Sequence, residues 1–394
     1  MTPSYAIPAE MDHQVSRWQV PALIVGIVLL AISAIGAIFR PGDFFRSYLM
    51  SFLFWTGLAV GSLAVVMLQH LTGGAWGVVT RRPLESASRT LTVLVLLFIP
   101  MLAGLPYLYD WARPDVVRQT QVLQHRAPYM NAPMFILRTA AYFVIWGALA
   151  FFLNRWSIQE DQDSSHFKRL ARLSAPGLIL YVFTVTFASI DWAESLETHW
   201  FSTMWGFLFV ASQGITVMSF VILCLVLLAR REPMASVITP KHLHDLGKLL
   251  LMFVMLWAYF AFSQLLIVWS GNLTDEIPFY LPRLGTTWGW VGGALIVFQF
   301  IVPFVLLLSR DLKRSPAALS VVVLLLIFMR WVDLFWVVMP SAHPGGVYFS
   351  WLDVSVPLAF TGIWISVFLG RLKKYPLLPL GAPNLEQALN HGRS

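Results

Sequence analysis

Asp191–Trp205, reading DWAESLETHWFSTMW, sets three carboxylates and a histidine between two long apolar segments, about 171–190 and 204–229. Polar density of that kind is costly beside lipid. If the stretch is helical, Asp191, Glu194, Ser195 and Thr198 fall at i, i+3, i+4 and i+7 and share one face. Such a face can carry protons or hold a partner.

The rest of the chain explains why that stretch stands out. Of its 394 residues 58% are hydrophobic and only 12% charged, a balance that a water-soluble fold of this length would struggle to hide. Apolar runs repeatedly reach the roughly 20 residues needed to cross about 30 Å of hydrocarbon as helix. We read ten spans, at about 19–39, 47–70, 89–109, 131–153, 171–190, 204–229, 245–270, 284–309, 316–339 and 351–371. The expected fold is therefore an all-α integral membrane protein forming a single polytopic domain over residues 1–394. The run before Phe39 lacks the basic flank of a signal peptide and is expected to stay as a membrane helix.

Charge gives the orientation. Of the 27 Lys and Arg, nineteen fall on the side of the spans that holds both termini and six on the other, with Arg138 and Arg330 inside spans. Excess positive charge marks the cytoplasmic side, so both termini are expected there. The net charge of +7 is spread through short connections, with no basic block to bind nucleic acid. The connections around Arg81-Arg82-Pro83 and Gln159–Ser165 read as solvated. Trp18, Trp111, Trp156, Trp200, Trp269, Trp331 and Trp351 lie mostly near span ends, as an interfacial aromatic belt should. Gly57 and Gly61 have the small-xxx-small spacing of an internal helix.

Several chemistries find no support. A single cysteine, Cys224, rules out a disulfide or a cysteine-ligated cluster built from this chain alone. No Gly-rich phosphate loop, Ser-His-Asp arrangement or Cys-x-x-Cys occurs, and no pair of intramembrane histidines could hold a haem. Asn272-Leu-Thr274 matches a glycosylation acceptor, a pattern too short to carry weight.

Ionisable residues within spans are the remaining candidates. Arg330 and Asp333 sit at i, i+3 and can pair, either to fix helix packing or to make Asp333 a proton-relay carboxylate. Arg138 lies roughly 10 Å inside the fourth span and is expected to pair with Asp191 or Glu194, because the fourth span begins and the fifth ends on the same face. At the start of the seventh span, His242 and His244 point apart on a helix, a poor zinc pair, and Asp245 reads as the N-cap. His244, Lys248, Tyr259 and Ser263, with Gln264 beside them, fall near one stripe that suits a proton half-path or a polar inter-helix seam. Gln213 and Gln299 could extend either.

The Asp191–Trp205 stretch, His244-Asp-Leu-Gly-Lys248, Met255–Gln264, Trp269-Ser-Gly-Asn272, Phe44–Tyr48, His70–Gly74 and Met329–Trp336 resemble the NrfD/PsrC-like membrane subunits of bacterial respiratory chains. The resemblance covers nearly the whole chain and is closest to the smaller of the two such subunits in alternative complex III. It implies two four-helix bundles related by a pseudo-twofold, with one flanking helix at each end, in the bacterial inner membrane. It also implies a cofactor-free subunit within a quinol:cytochrome c oxidoreductase. Menaquinol or ubiquinol would be oxidised there, and electrons would pass through iron–sulfur clusters and c-type haems held by partners. Those partners are a larger quinol-binding paralogue, a periplasmic iron–sulfur subunit, c-type cytochromes and, in some assemblies, a terminal oxidase, all within lipid. The polar set that the resemblance marks comprises Asp191, Glu194, Glu197, His199, His244, Asp245, Lys248, Tyr259, Gln264, Arg330 and Asp333.

The expected role is electron transport coupled to proton translocation. Asp191, Glu194 and His199 would form the periplasmic end of a proton path, His244, Asp245 and Lys248 its cytoplasmic entrance, and Arg330 with Asp333 its buried middle. Two rivals stand beside it: a purely structural anchor, and a subunit that binds quinol itself, since a carboxylate with a histidine is what proton-coupled quinol oxidation needs. Secondary transport, which favours matched Gly or Pro breaks in two halves, has only Pro100, Pro106 and a weak echo at Pro303.

Overall fold

The computed structural model describes residues 5 and 9–393. Among these no strand occurs, and ten helices are long and apolar enough to cross a membrane: Ser16–Phe39, Pro41–Thr72, Ala75–Leu108, Ala132–Glu160, His166–Leu196, Trp205–Leu228, Pro240–Gly271, Trp288–Leu308, Pro316–Ser341 and Leu352–Leu372. Each overlaps one expected span. A chain of this kind can satisfy its backbone in hydrocarbon only as helix or closed barrel, and here it does so as helix throughout.

The second span is the hub. Its most apolar window is wholly buried, and it packs against the third, fifth, sixth, ninth and tenth spans. Gly61 lets the sixth span come close, because a Cβ there would lie 2.8 Å from Val217 Cγ2. The small-residue spacing at Gly57 and Gly61 thus does mark an internal helix.

The first span lies along the tenth. At their crossing Gly26 meets Gly362, where an added Cβ would stand 2.5 Å from Ala22 O, and Ser33 Oγ donates to Ser355 Oγ at 2.8 Å one level away. Gly362→Leu is expected to cost about 1–3 kcal/mol through overpacking, read as a lower midpoint of thermal unfolding in detergent. An unchanged midpoint would mean that the first span is not held at this crossing.

The eighth span is not uniform. Ile296–Ile301 forms a π-turn ahead of Pro303. Proline has no N–H to return to the carbonyl four residues back, so the helix widens there. The wide turn lies against the seventh and ninth spans and buries Gln299.

Several expectations are corrected. The connection after the second span is no solvated loop: Ala75–Ser88 is a buried helix that passes through a turn at Arg89-Thr90 into Leu91–Leu108. Arg81 and Arg82 are 1% and 3% exposed. They can be buried because Arg81 pairs with Glu160, and Arg82 with Glu85 and Asp161. Ser157 and Gln69 accept further hydrogen bonds from Arg82 and Arg81. Glu160 is buried too, and only residues 162–165 of the next connection are exposed.

The seventh span starts at Pro240 and is capped by Thr239 in a reciprocal box with His242. Asp245 is therefore not the cap; it bonds Lys248 Nζ and His391 Nε2, each at 2.7 Å. Asn272 ends this span as a left-handed C-cap. Trp18, Trp269 and Trp351 do face outward, but Trp111 and Trp200 are buried in aromatic stacks.

Candidate functional site

The Asp191–Trp205 stretch does not continue as one helix. The fifth helix ends at Trp192, a single 3-10 turn follows at Glu194–Leu196, and irregular chain leads to Trp205. The shared face expected for Asp191, Glu194, Ser195 and Thr198 therefore does not form, and the three carboxylates point to three different partners.

Asp191 turns to the fourth span. Arg138 donates to it from Nε at 2.9 Å and from Nη2 at 2.8 Å, and Tyr142 OH donates at 2.7 Å. The carboxylate is fully buried, while the guanidinium lies 3.7 Å from the Tyr129 ring and donates to Tyr129 O. Of the two partners named for Arg138, it meets the first. Burial and then the Asp191 charge push the Tyr129 hydroxyl up to about 12. This site is closed: three donors engage both oxygens of Asp191.

Glu197 turns to Arg283, 2.9 Å away. Arg283 is fully buried, stacks 3.6 Å over Phe279, and donates to the carbonyls of Phe279 and Val337 at 2.8 and 3.0 Å. Burial holds its pKa below the ordinary value despite Glu197. Sequence reasoning missed Arg283 as a site residue, because nothing in its spacing separates it from the orienting charges around it.

Glu194 turns inward and is 6% exposed. One oxygen accepts the Ser202 N–H at 2.8 Å; the other, Oε2, is buried with no partner among the described residues. Ser202 Oγ in turn donates to Gln264 Oε1 at 3.3 Å. Ser202 thus ties the carboxylate at the end of the fifth span, through its backbone N–H, to an amide on the seventh, through its hydroxyl.

Gln264 lines a cavity of about 410 Å³ between the sixth, seventh, eighth and ninth spans, within the range of small-molecule sites. Its walls are mainly apolar and aromatic, with Trp205, Trp257, Phe279 and Trp336 prominent, and its polar groups include Gln264, Tyr280 and Asp333. Phe262 and Leu284, also lining it, are 63% and 57% exposed, so the cavity opens sideways onto the apolar outer surface. At its inner side Asp333 forms an ion pair with Arg330, both are 5% exposed, and Arg330 lies 5.6 Å from the Phe209 ring. Behind them Gln299, oriented to satisfy both halves of its amide, accepts from Trp257 Nε1 at 3.2 Å and donates to Met329 O at 3.0 Å.

The other candidates stand apart. His199 is exposed and joins neither Asp191 nor Glu194. At the opposite end His244 is half-buried, Asp245 is bound to Lys248 and His391, and Lys248 is exposed. Tyr259 is 64% exposed, so the stripe from His244 to Ser263 runs along the outside of the bundle, whereas Gln264, one residue on, faces in. Gln213, on the sixth span, accepts from Tyr181 OH at 2.8 Å and belongs to another seam.

The site thus comprises Glu194, Ser202, Gln264, Tyr280, Asp333 and Arg330, with Arg283 buttressing the wall through Phe279 and Trp336. It can accept a proton at Glu194 Oε2, which has no partner among the described residues, and hold a flat apolar molecule beside the Asp333 carboxylate. In comparisons with known proteins, no family model matches the chain and no curated protein matches it significantly.

Proposed function

We propose that this chain is a cofactor-free membrane subunit of a quinol-oxidising respiratory complex of the alternative complex III kind, supplying a proton half-channel and docking the quinol-oxidising, iron–sulfur and c-haem subunits. The supporting observation is the connection Glu194–Ser202–Gln264 into the cavity that holds Asp333. A buried carboxylate with an unpartnered oxygen is expensive unless it exchanges protons. In this reading Glu194 is the outer station of the path and the Asp333–Arg330 pair its middle, while Asp191 is a structural pin. The second to fifth and sixth to ninth spans would be the two pseudo-twofold-related bundles, with the first and tenth outside them. The packing of the second span on the third and fifth, and of the sixth on the seventh and ninth, agrees with this. Both termini would be cytoplasmic, as the charge bias implies.

The cavity favours a second reading, in which the chain binds quinol itself. Quinol oxidation releases two electrons, which would leave through the partners' clusters, and two protons, which need acceptors beside the ring. Asp333 in the cavity and the Glu194 carboxylate beyond Ser202, with Oε2 unpartnered among the described residues, would be the two acceptors, and the sideways opening suits a ligand arriving from lipid.

The test is Glu194→Gln and Asp333→Asn in the intact complex, reconstituted into proteoliposomes. Loss of a general base typically costs about 10²-fold or more, so proton release coupled to quinol oxidation should fall by at least that order with assembly intact. Unaltered proton release in both variants would remove the relay role; a defect confined to assembly would leave only the anchor.

A further inference from the structure

A second cavity, of about 530 Å³, lies at the end of the bundle that carries both termini, between the third, fourth and tenth spans. Three arginines are among its lining residues, Arg89, Arg155 and Arg371, with Asn154 and Tyr375 beside them. None of the three forms an ion pair among the described residues. Of the carboxylates nearest the groove, Glu85 and Asp161 pair with Arg82 and Glu160 with Arg81, and Glu85 is the one whose charge also favours that of Arg89. Arg89 sits 4.3 Å over the Tyr375 ring, and its Nη2 is buried with no hydrogen-bond partner. Three like charges facing one space, one with an unused buried donor, call for an anion.

The remaining walls say which kind. Leu91, Ala150 and Phe151 continue the cavity toward the hydrocarbon-facing surface, where Phe151 is 57% exposed. A Cβ on Gly147, also in the lining, would meet nothing within 4 Å, leaving an open slot along the fourth span. A free phosphate would use the arginines and leave this slot idle.

We propose that this groove binds an anionic glycerophospholipid, with its phosphodiester on Arg89, Arg155 and Arg371 and an acyl chain along Gly147, Ala150 and Phe151. Guanidinium forks match phosphate oxygens in pairs, and basic pockets between helices on the cytoplasmic side suit such headgroups. With the orientation expected from charge, the site faces the cytoplasmic leaflet.

The full-length protein, stripped of lipid in mild detergent, would be titrated with phosphatidylglycerol, phosphatidylcholine and inorganic phosphate, with bound lipid counted by native mass spectrometry. Phosphatidylglycerol should bind about tenfold or more tighter than phosphatidylcholine. The Arg155→Gln/Arg371→Gln variant should lose that preference, and inorganic phosphate should not displace the lipid. Gly147→Leu, which leaves every charge in place, should weaken binding and keeps the test open if the arginine variant does not fold. Equal affinity for the two lipids, undiminished binding in the variants, or displacement by inorganic phosphate would each overturn the proposal, the last by making the groove a free-anion site.

Discussion

Arg138→Met is expected to destabilise the protein by about 3–5 kcal/mol, the usual consequence of removing one partner of a buried ion pair. The reason is geometric. Asp191 is fully buried and receives Nε, Nη2 and the Tyr142 hydroxyl. Without Arg138 only the hydroxyl remains, and the charge cannot reach water. Asp191→Asn removes the charge but keeps an acceptor, and should cost less, about 1–3 kcal/mol. The pairing has a sharper signature in the double variant Arg138→Met/Asp191→Leu, which replaces both charges with apolar side chains and should recover much of the loss. Thermal or denaturant unfolding in detergent would show it. Additive losses would mean that the two side chains are not coupled. In the assembled complex Asp191→Asn should leave proton release unchanged, because no oxygen of Asp191 is free to carry one, and this separates it from Glu194.

That separation shows what the sequence could and could not disclose. Ten spans were legible because hydropathy is a local property and lipid enforces it along the whole chain. Arg330–Asp333 was legible because both partners lie on one turn of one helix. Arg138 was legible as a buried cation in need of a carboxylate at its own depth, since lipid leaves few alternatives.

The third span, by contrast, begins at Ala75 instead of residue 89, because Arg81, Arg82 and Glu85 look like solvated charge until Glu160 and Asp161 arrive from far along the chain. Hydropathy counts each charge as wet; only the tertiary fold shows them neutralised. The face proposed for Asp191–Thr198 failed for a related reason. Helical spacing presumes a helix, and nothing local signals that this one ends at Trp192. The cavity beside Asp333 was invisible for the opposite reason: its walls are ordinary apolar residues brought together from four spans, the π-turn residues Ile296 and Phe300 among them.

The cavity also offers the variant that divides the two functional readings. Gly293 lies in its lining, and a Cβ there meets no heavy atom within 4 Å, so Gly293→Phe can grow a ring across the opening without displacing the fold. Helix propensity favours the change by about half a kcal/mol, and stability should hold or rise slightly. If quinol is oxidised in this chain, closing the entrance should lower quinol oxidation by the assembled complex about tenfold or more, and a quinol analogue should lose its protective effect on thermal unfolding by a comparable factor in affinity. If the chain conducts protons only, the change replaces none of Glu194, Ser202, Gln264 and Asp333. Turnover should then stay near the parent value, while Glu194→Gln still stops proton release. Full turnover in Gly293→Phe together with a lost proton signal in Glu194→Gln would assign quinol oxidation to a neighbouring subunit and the half-channel to this one. Loss of turnover in Gly293→Phe with assembly intact would place the quinol ring beside Asp333.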